Sequence, residues 1–107
     1  MSRPEPLTPG EYYHIYNRGN NRENLFRQER NHDYFMRLYV KYISPVALTF
    51  AFCLLRNHFH LLVQIRELEA LQRLQALSTI EDAQDYVSLQ FGNFFSTYTK
   101  AINEAYG

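Results

Sequence analysis

The sequence predicts an α+β domain, an antiparallel sheet carrying two main helices. Three observations predict it. Residues 12–16 are aromatic and β-branched, as strands prefer. Residues 46–55 and 58–65 are apolar runs separated by Arg56-Asn57, which reads as two antiparallel strands joined by a turn. Residues 31–43 and 82–106 carry apolar side chains at helical spacing.

Three of the four prolines fall in residues 1–10, so this stretch is expected to be an extended lead-in to one domain over 11–107. The strand over 12–16 runs into Asn17-Arg18-Gly19-Asn20-Asn21-Arg22, where Gly and Asn tolerate positive φ and mark a tight loop. Its arginines make it either a local basic patch or a solvated turn. Apolar groups at 35, 36, 39, 40 and 43 form the stripe of an amphipathic helix, with Asn31 as its N-cap and Ser44-Pro45 as its stop. The continuous apolar run over 46–55, with β-branched and aromatic members, is long enough for a central strand.

Residues 66–81 are charged and rich in leucine at a spacing of three, which drifts around an α-helix. They predict a short helix or a mobile connection. The stripe at 83, 87, 91, 94, 95, 98 and 102 predicts one long helix, in which Gly92 costs about 1 kcal/mol relative to alanine. Strand, helix, strand, strand, helix is the order of a ferredoxin-like split β-α-β, RRM-like, without its last strand.

Composition sets broad limits. At 107 residues the chain is long enough for a single core. Its 9 tyrosines and 8 phenylalanines suit base stacking, a core or an interface equally. The formal net charge is zero, which counts against a nucleic-acid binder unless the basic residues cluster. One cysteine, Cys53, excludes a disulfide framework and suggests a reducing compartment. With no run of 18 apolar residues and no signal-peptide layout, a cytoplasmic protein without a membrane partner is expected.

The chemistry concentrates in Cys53-Leu54-Leu55-Arg56-Asn57-His58-Phe59-His60-Leu61-Leu62-Val63. Alternation in a strand turns His58 and His60 to one face and Phe59, Leu61 and Val63 to the other. Two imidazoles side by side can ligate a divalent metal, or can be half-buried histidines satisfied by hydrogen bonds. His14 sits on the first strand, and a metal role for it would need its face to match that of His58. It is taken as structural or, under the resemblance given next, as DNA-facing.

Three blocks occur in order: Tyr13-His14-Ile15-Tyr16-Asn17-Arg18-Gly19, the histidine block above, and Phe94-Phe95-Ser96-Thr97-Tyr98-Thr99-Lys100-Ala101-Ile102-Asn103. Together they resemble the single-tyrosine HUH transposases (His-hydrophobe-His), and within them the REP-associated tyrosine transposases, over residues 12–107. The resemblance implies metal-dependent cleavage of single-stranded or hairpin DNA by attack of a tyrosine hydroxyl on a phosphodiester. A 5′-phosphotyrosine link forms, a 3′-hydroxyl is freed, and attack of another 3′-hydroxyl on the link transfers the strand.

It further implies that His58 and His60 hold Mg²⁺ or Mn²⁺, with a third ligand, waters and phosphate oxygens completing the shell. Arg18, Arg22, Asn17, Arg56 and Asn57 are the candidate DNA contacts. A homodimer and a bacterial source also follow by resemblance, and an open sheet edge invites pairing with another copy.

In this family the nucleophilic tyrosine and a polar residue four positions on share one helix face. Here Tyr98 is followed at that spacing by Ile102, and Tyr86 by Gln90 in an unrelated context. The resemblance therefore places the nucleophile beyond residue 107, with Tyr98 and Tyr86 as fallbacks, and leaves this chain with an incomplete active site. The alternative is a non-catalytic nucleic-acid-binding module with an RRM-like sheet.

Overall fold

The computed structural model describes residues 6–106 apart from 19–23. The chain runs β1 (Tyr12–Arg18), α1 (Glu29–Tyr42), β2 (Ala47–Leu55), β3 (His58–Ile65), α2 (Leu68–Gln72) and α3 (Ile80–Tyr106). The three strands form one antiparallel sheet in the order β1-β3-β2. Among the described residues no helix is long and apolar enough to cross a membrane.

β3 is the central strand, and its alternation divides the molecule. Phe59, Leu61, Val63 and Ile65 are buried on one face, while His58, His60, Leu62 and Gln64 look out from the other. The helices cover only the buried face. Phe35 of α1 and Phe95 of α3 bring their rings to 5.1 and 5.6 Å from Phe59, and Phe35 meets Phe94 edge-on at 4.9 Å. The long stripe of α3 falls as the spacing predicts, with Ala83, Val87, Phe91, Phe94, Tyr98 and Ile102 all buried. No described element covers the other face, which is left to solvent.

Three sequence expectations need correction. β2 is an edge strand, not a central one, and Leu48, Phe50, Phe52 and Leu55 along it are all exposed. An unbroken apolar run does not alternate, so it carries no sign of which faces are covered. The β2–β3 register also slips between Thr49 and Ala51, leaving Phe50 as an extra, unpaired residue in the manner of a bulge. Between α1 and this edge lies an apolar groove of about 500 Å³, lined by Met36, Tyr39, Val40, Phe52 and Leu61.

The second correction concerns Asn31. α1 starts at Glu29 with Gln28 as N-cap, so Asn31 is the third helical residue. Its side-chain oxygen reaches back to accept from the backbone N–H groups of Arg27 and Gln28, at 2.9 and 2.8 Å. An asparagine inside the first turn thus satisfies N–H groups that have no partner within the helix.

Third, α3 begins two residues before 82, because Thr79 Oγ1 accepts from the Asp82 N–H while the Asp82 carboxylate accepts from the Ser78 N–H. The connection over 66–79 holds only the five-residue α2, pinned by the fully buried Leu71.

Gly92 lies on the exposed side of α3, and a Cβ there would meet nothing within 4 Å. Gly92→Ala is therefore expected to raise the unfolding free energy by roughly 0.5–1 kcal/mol through helix propensity alone. Urea denaturation measures it, and a destabilised variant would show that the glycine is needed for its backbone.

Candidate functional site

The histidine pair is built by the pleat of β3. With Phe59 turned into the core, His58 and His60 stand next to each other on the open face, ring centroids 5.2 Å apart and ring planes nearly perpendicular. The turn at Arg56-Asn57 leads directly into them, and the Arg56 carbonyl accepts from the Phe26 N–H at 2.9 Å, which ties the turn to the core.

Asn57 Oδ1 lies 2.7 Å from His58 Nδ1. An amide oxygen can only accept, so His58 Nδ1 carries the proton and donates. That tautomer puts the imidazole lone pair on Nε2, the atom a metal would use. Metal-ligating histidines are commonly oriented in this way by a carbonyl on the second ring nitrogen.

The antiparallel register then brings β1 against the pair. Tyr16 stands opposite His60, Arg18 opposite His58, and His14 opposite Leu62. His14 leans diagonally so that its Nε2 is 2.8 Å from His60 Nδ1, with the two rings stacked at 5.0 Å. If His60 Nδ1 donates and His14 Nε2 accepts, His60 also carries its lone pair on Nε2, as His58 does. The Tyr16 ring lies 5.9 Å from His60 and 5.4 Å from His14, completing a line of rings on the open face.

His14 and Tyr16 are the residues that sequence reasoning undervalued. They share parity along β1, but only the pairing register reveals that this parity matches that of His58 and His60. On the other side of β3, Cys53 faces His60 and is exposed.

Two nitrogen donors suit a divalent ion and fill only part of its shell. Among the described residues no three His, Cys, Asp or Glu side chains are grouped closely enough to hold a metal. The remaining positions would go to waters, phosphate oxygens or a residue outside that set.

Charge is segregated although it sums to zero. None of the residues of β1, β2 or β3 is Asp or Glu. The arginines nearest the histidines in the sheet and its turn are Arg18 and Arg56. A face free of carboxylates with arginines at one end is compatible with a polyanion. Arg56 and Asn57 are exposed at that end. The side chains of Asn17 and Arg18, and the whole of Arg22, lie outside the described residues.

The two fallback tyrosines lie elsewhere. Tyr98 is buried on the covered side of the sheet, its ring among Phe26, Tyr34 and Phe35 and its hydroxyl donating to the Leu25 carbonyl. Burial pushes its pKa well above the usual tyrosine value, aided by Tyr106. Tyr86 packs partly buried against the same core. The sheet stands between the Tyr98 hydroxyl and the histidine pair, and Tyr86 belongs to the same helix on the covered side. Comparison of the chain with protein-family models, with curated proteins and with solved structures found no match.

Proposed function

We propose that this chain is a DNA transposase-like domain of the single-tyrosine HUH kind, in which His58 and His60 hold Mg²⁺ or Mn²⁺ beside single-stranded or hairpin DNA. The observation that carries the reading is the pair itself: two imidazoles side by side on an uncovered sheet face, one of them oriented by Asn57. The strand order β1-β3-β2 with both long helices on one face is what a ferredoxin-like fold has in its first three strands, and it supports the same reading.

A bound divalent ion would supply polarisation of the scissile phosphate and offset charge as it develops. The chain's own residues hold the ligands and position the phosphates. Asn57 holds the His58 tautomer, and His14 fixes His60. Arg56, Asn57, Asn17 and Arg18 stand at the histidine end, where phosphates would be positioned, and Arg22 belongs to the same loop by sequence.

The attacking tyrosine in this reading is neither Tyr98 nor Tyr86, since both belong to α3 on the covered side of the sheet, opposite the metal ligands. Following the resemblance, it comes from a segment outside residues 1–107. The proposed homodimer is supported by the unpaired apolar edge of β2 and the groove beside it. A monomer mass by light scattering at micromolar concentration would remove that part. A second reading, a non-catalytic nucleic-acid-binding module, is favoured by the exposed rings of Tyr12, Tyr16 and Phe50.

A labelled hairpin-bearing strand, titrated with the protein in Mn²⁺ and in EDTA, separates the readings. Tighter binding in Mn²⁺ and no covalent adduct on a denaturing gel are expected. Equal binding in both buffers favours the module. An adduct formed by residues 1–107 overturns the placement of the nucleophile, and Tyr98→Phe, Tyr86→Phe and Tyr16→Phe would identify the residue responsible.

A further inference from the structure

We propose that the open sheet face is a stacking track for a short run of unpaired DNA bases, with Tyr16 at its histidine end and the Tyr12–Phe50 pair at the other. This rests on the reading of the histidine face as a DNA site, and it assigns residues that the metal chemistry does not use.

Tyr12, Tyr16 and Phe50 are 60%, 68% and 56% exposed, values that a ring without a partner does not reach inside a core. Tyr12 and Tyr16 are four residues apart on one strand, so their rings rise from the same face about 13 Å apart. Phe50 belongs to the opposite edge strand, yet its ring comes within 5.5 Å of Tyr12. The register slip in β2 makes this contact, because Phe50 is the residue left unpaired between Thr49 and Ala51. The pair spans β3 above Gln64, which is opposite both Tyr12 and Leu48.

Two stacking positions at this separation suit two or three bases, the number that sheet aromatics hold in single-strand recognition. Between the rings lie His14, His60 and the exposed Leu62, with Gln64 beneath the Tyr12–Phe50 pair and donating to the Gly10 carbonyl. The absence of carboxylates from all three strands lets a phosphate backbone run along the face without repulsion, toward Arg18 and Arg56. Bases of a duplex are already stacked on each other and present no free ring face, so the track selects unpaired DNA.

The experiment is fluorescence anisotropy of a labelled oligothymidylate about a dozen nucleotides long, measured in EDTA so that metal plays no part. Tyr16→Ala and Phe50→Ala are each expected to weaken binding about tenfold or more. Leu89→Ala, at an exposed position of α3, should leave it unchanged. A duplex of the same length should bind at least about tenfold more weakly than the single strand.

All three replaced residues are exposed, and circular dichroism confirms that the variants fold. EDTA removes any metal from both wild type and variants, so failure of the metal site leaves these outcomes unchanged and the two readings separate. Unaltered affinity in both Tyr16→Ala and Phe50→Ala overturns the proposal, as does duplex binding equal to that of the single strand. Tenfold tighter binding of oligouridylate would make the ligand RNA. A dimer that falls to a monomer in Phe50→Ala would make the occupant a second copy of the chain.

Discussion

Phe35→Ala is expected to lower the unfolding free energy by about 3–5 kcal/mol, read by urea denaturation. Phe35 is 1% exposed, and it is where the two long helices and the central strand meet. Its ring lies 5.2 Å from Phe26, 5.1 Å from Phe59, 4.9 Å from Phe94 and 5.2 Å from Tyr98. Truncation therefore removes buried apolar area, leaves a cavity that rigid rings on several elements cannot close, and forfeits several edge-to-face contacts. A domain of this size has a total stability of only about 5–15 kcal/mol, so a large share disappears in one step. The site would go with it, since Phe59 is the residue between His58 and His60. Phe35→Leu, which keeps most of the volume, should cost clearly less. A loss below about 1 kcal/mol for alanine would mean that α1 does not dock on the sheet through this ring.

What could be read from the sequence was whatever depends on local periodicity. The alternation in 58–65 assigned opposite faces to the histidines and to Phe59, Leu61 and Val63, and the structure has them so. The stripe of α3 likewise followed from spacing alone. What could not be read depends on pairing between segments distant in the chain. β2 looked like a central strand because an apolar run reports hydrophobicity without reporting coverage, and its place at the edge is set by which strand β3 also pairs with. The place of His14 beside the pair is hidden for the same reason, because its 2.8 Å approach to His60 is a product of register. An N-cap role for Asn31 names the right task at the wrong place, since a side chain can satisfy N–H groups at the start of a helix from inside the first turn as well as from before it.

His58→Ala is expected to reduce Mn²⁺ affinity by at least about tenfold in calorimetry, with no change in thermal melting beyond that of a surface substitution. Mn²⁺ is the better probe because it tolerates imidazole ligands, whereas Mg²⁺ holds strongly to oxygen and water. The fold should not suffer, because His58 is on the open face and its neighbours in the core, Phe59 and Leu61, are untouched. Asn57→Ala gives the sharper result. Asn57 need not touch the ion at all; it accepts the His58 Nδ1 proton and so keeps the lone pair on Nε2. Its removal lets the ring turn and sample the other tautomer, which should cost about 10–100-fold in affinity while leaving both imidazoles in place. A purely structural asparagine would instead alter melting and leave Mn²⁺ binding alone. Equal affinity in wild type, His58→Ala and Asn57→Ala would sink the metal assignment, and the line of rings on the open face would then stand as a binding surface without a catalytic ion.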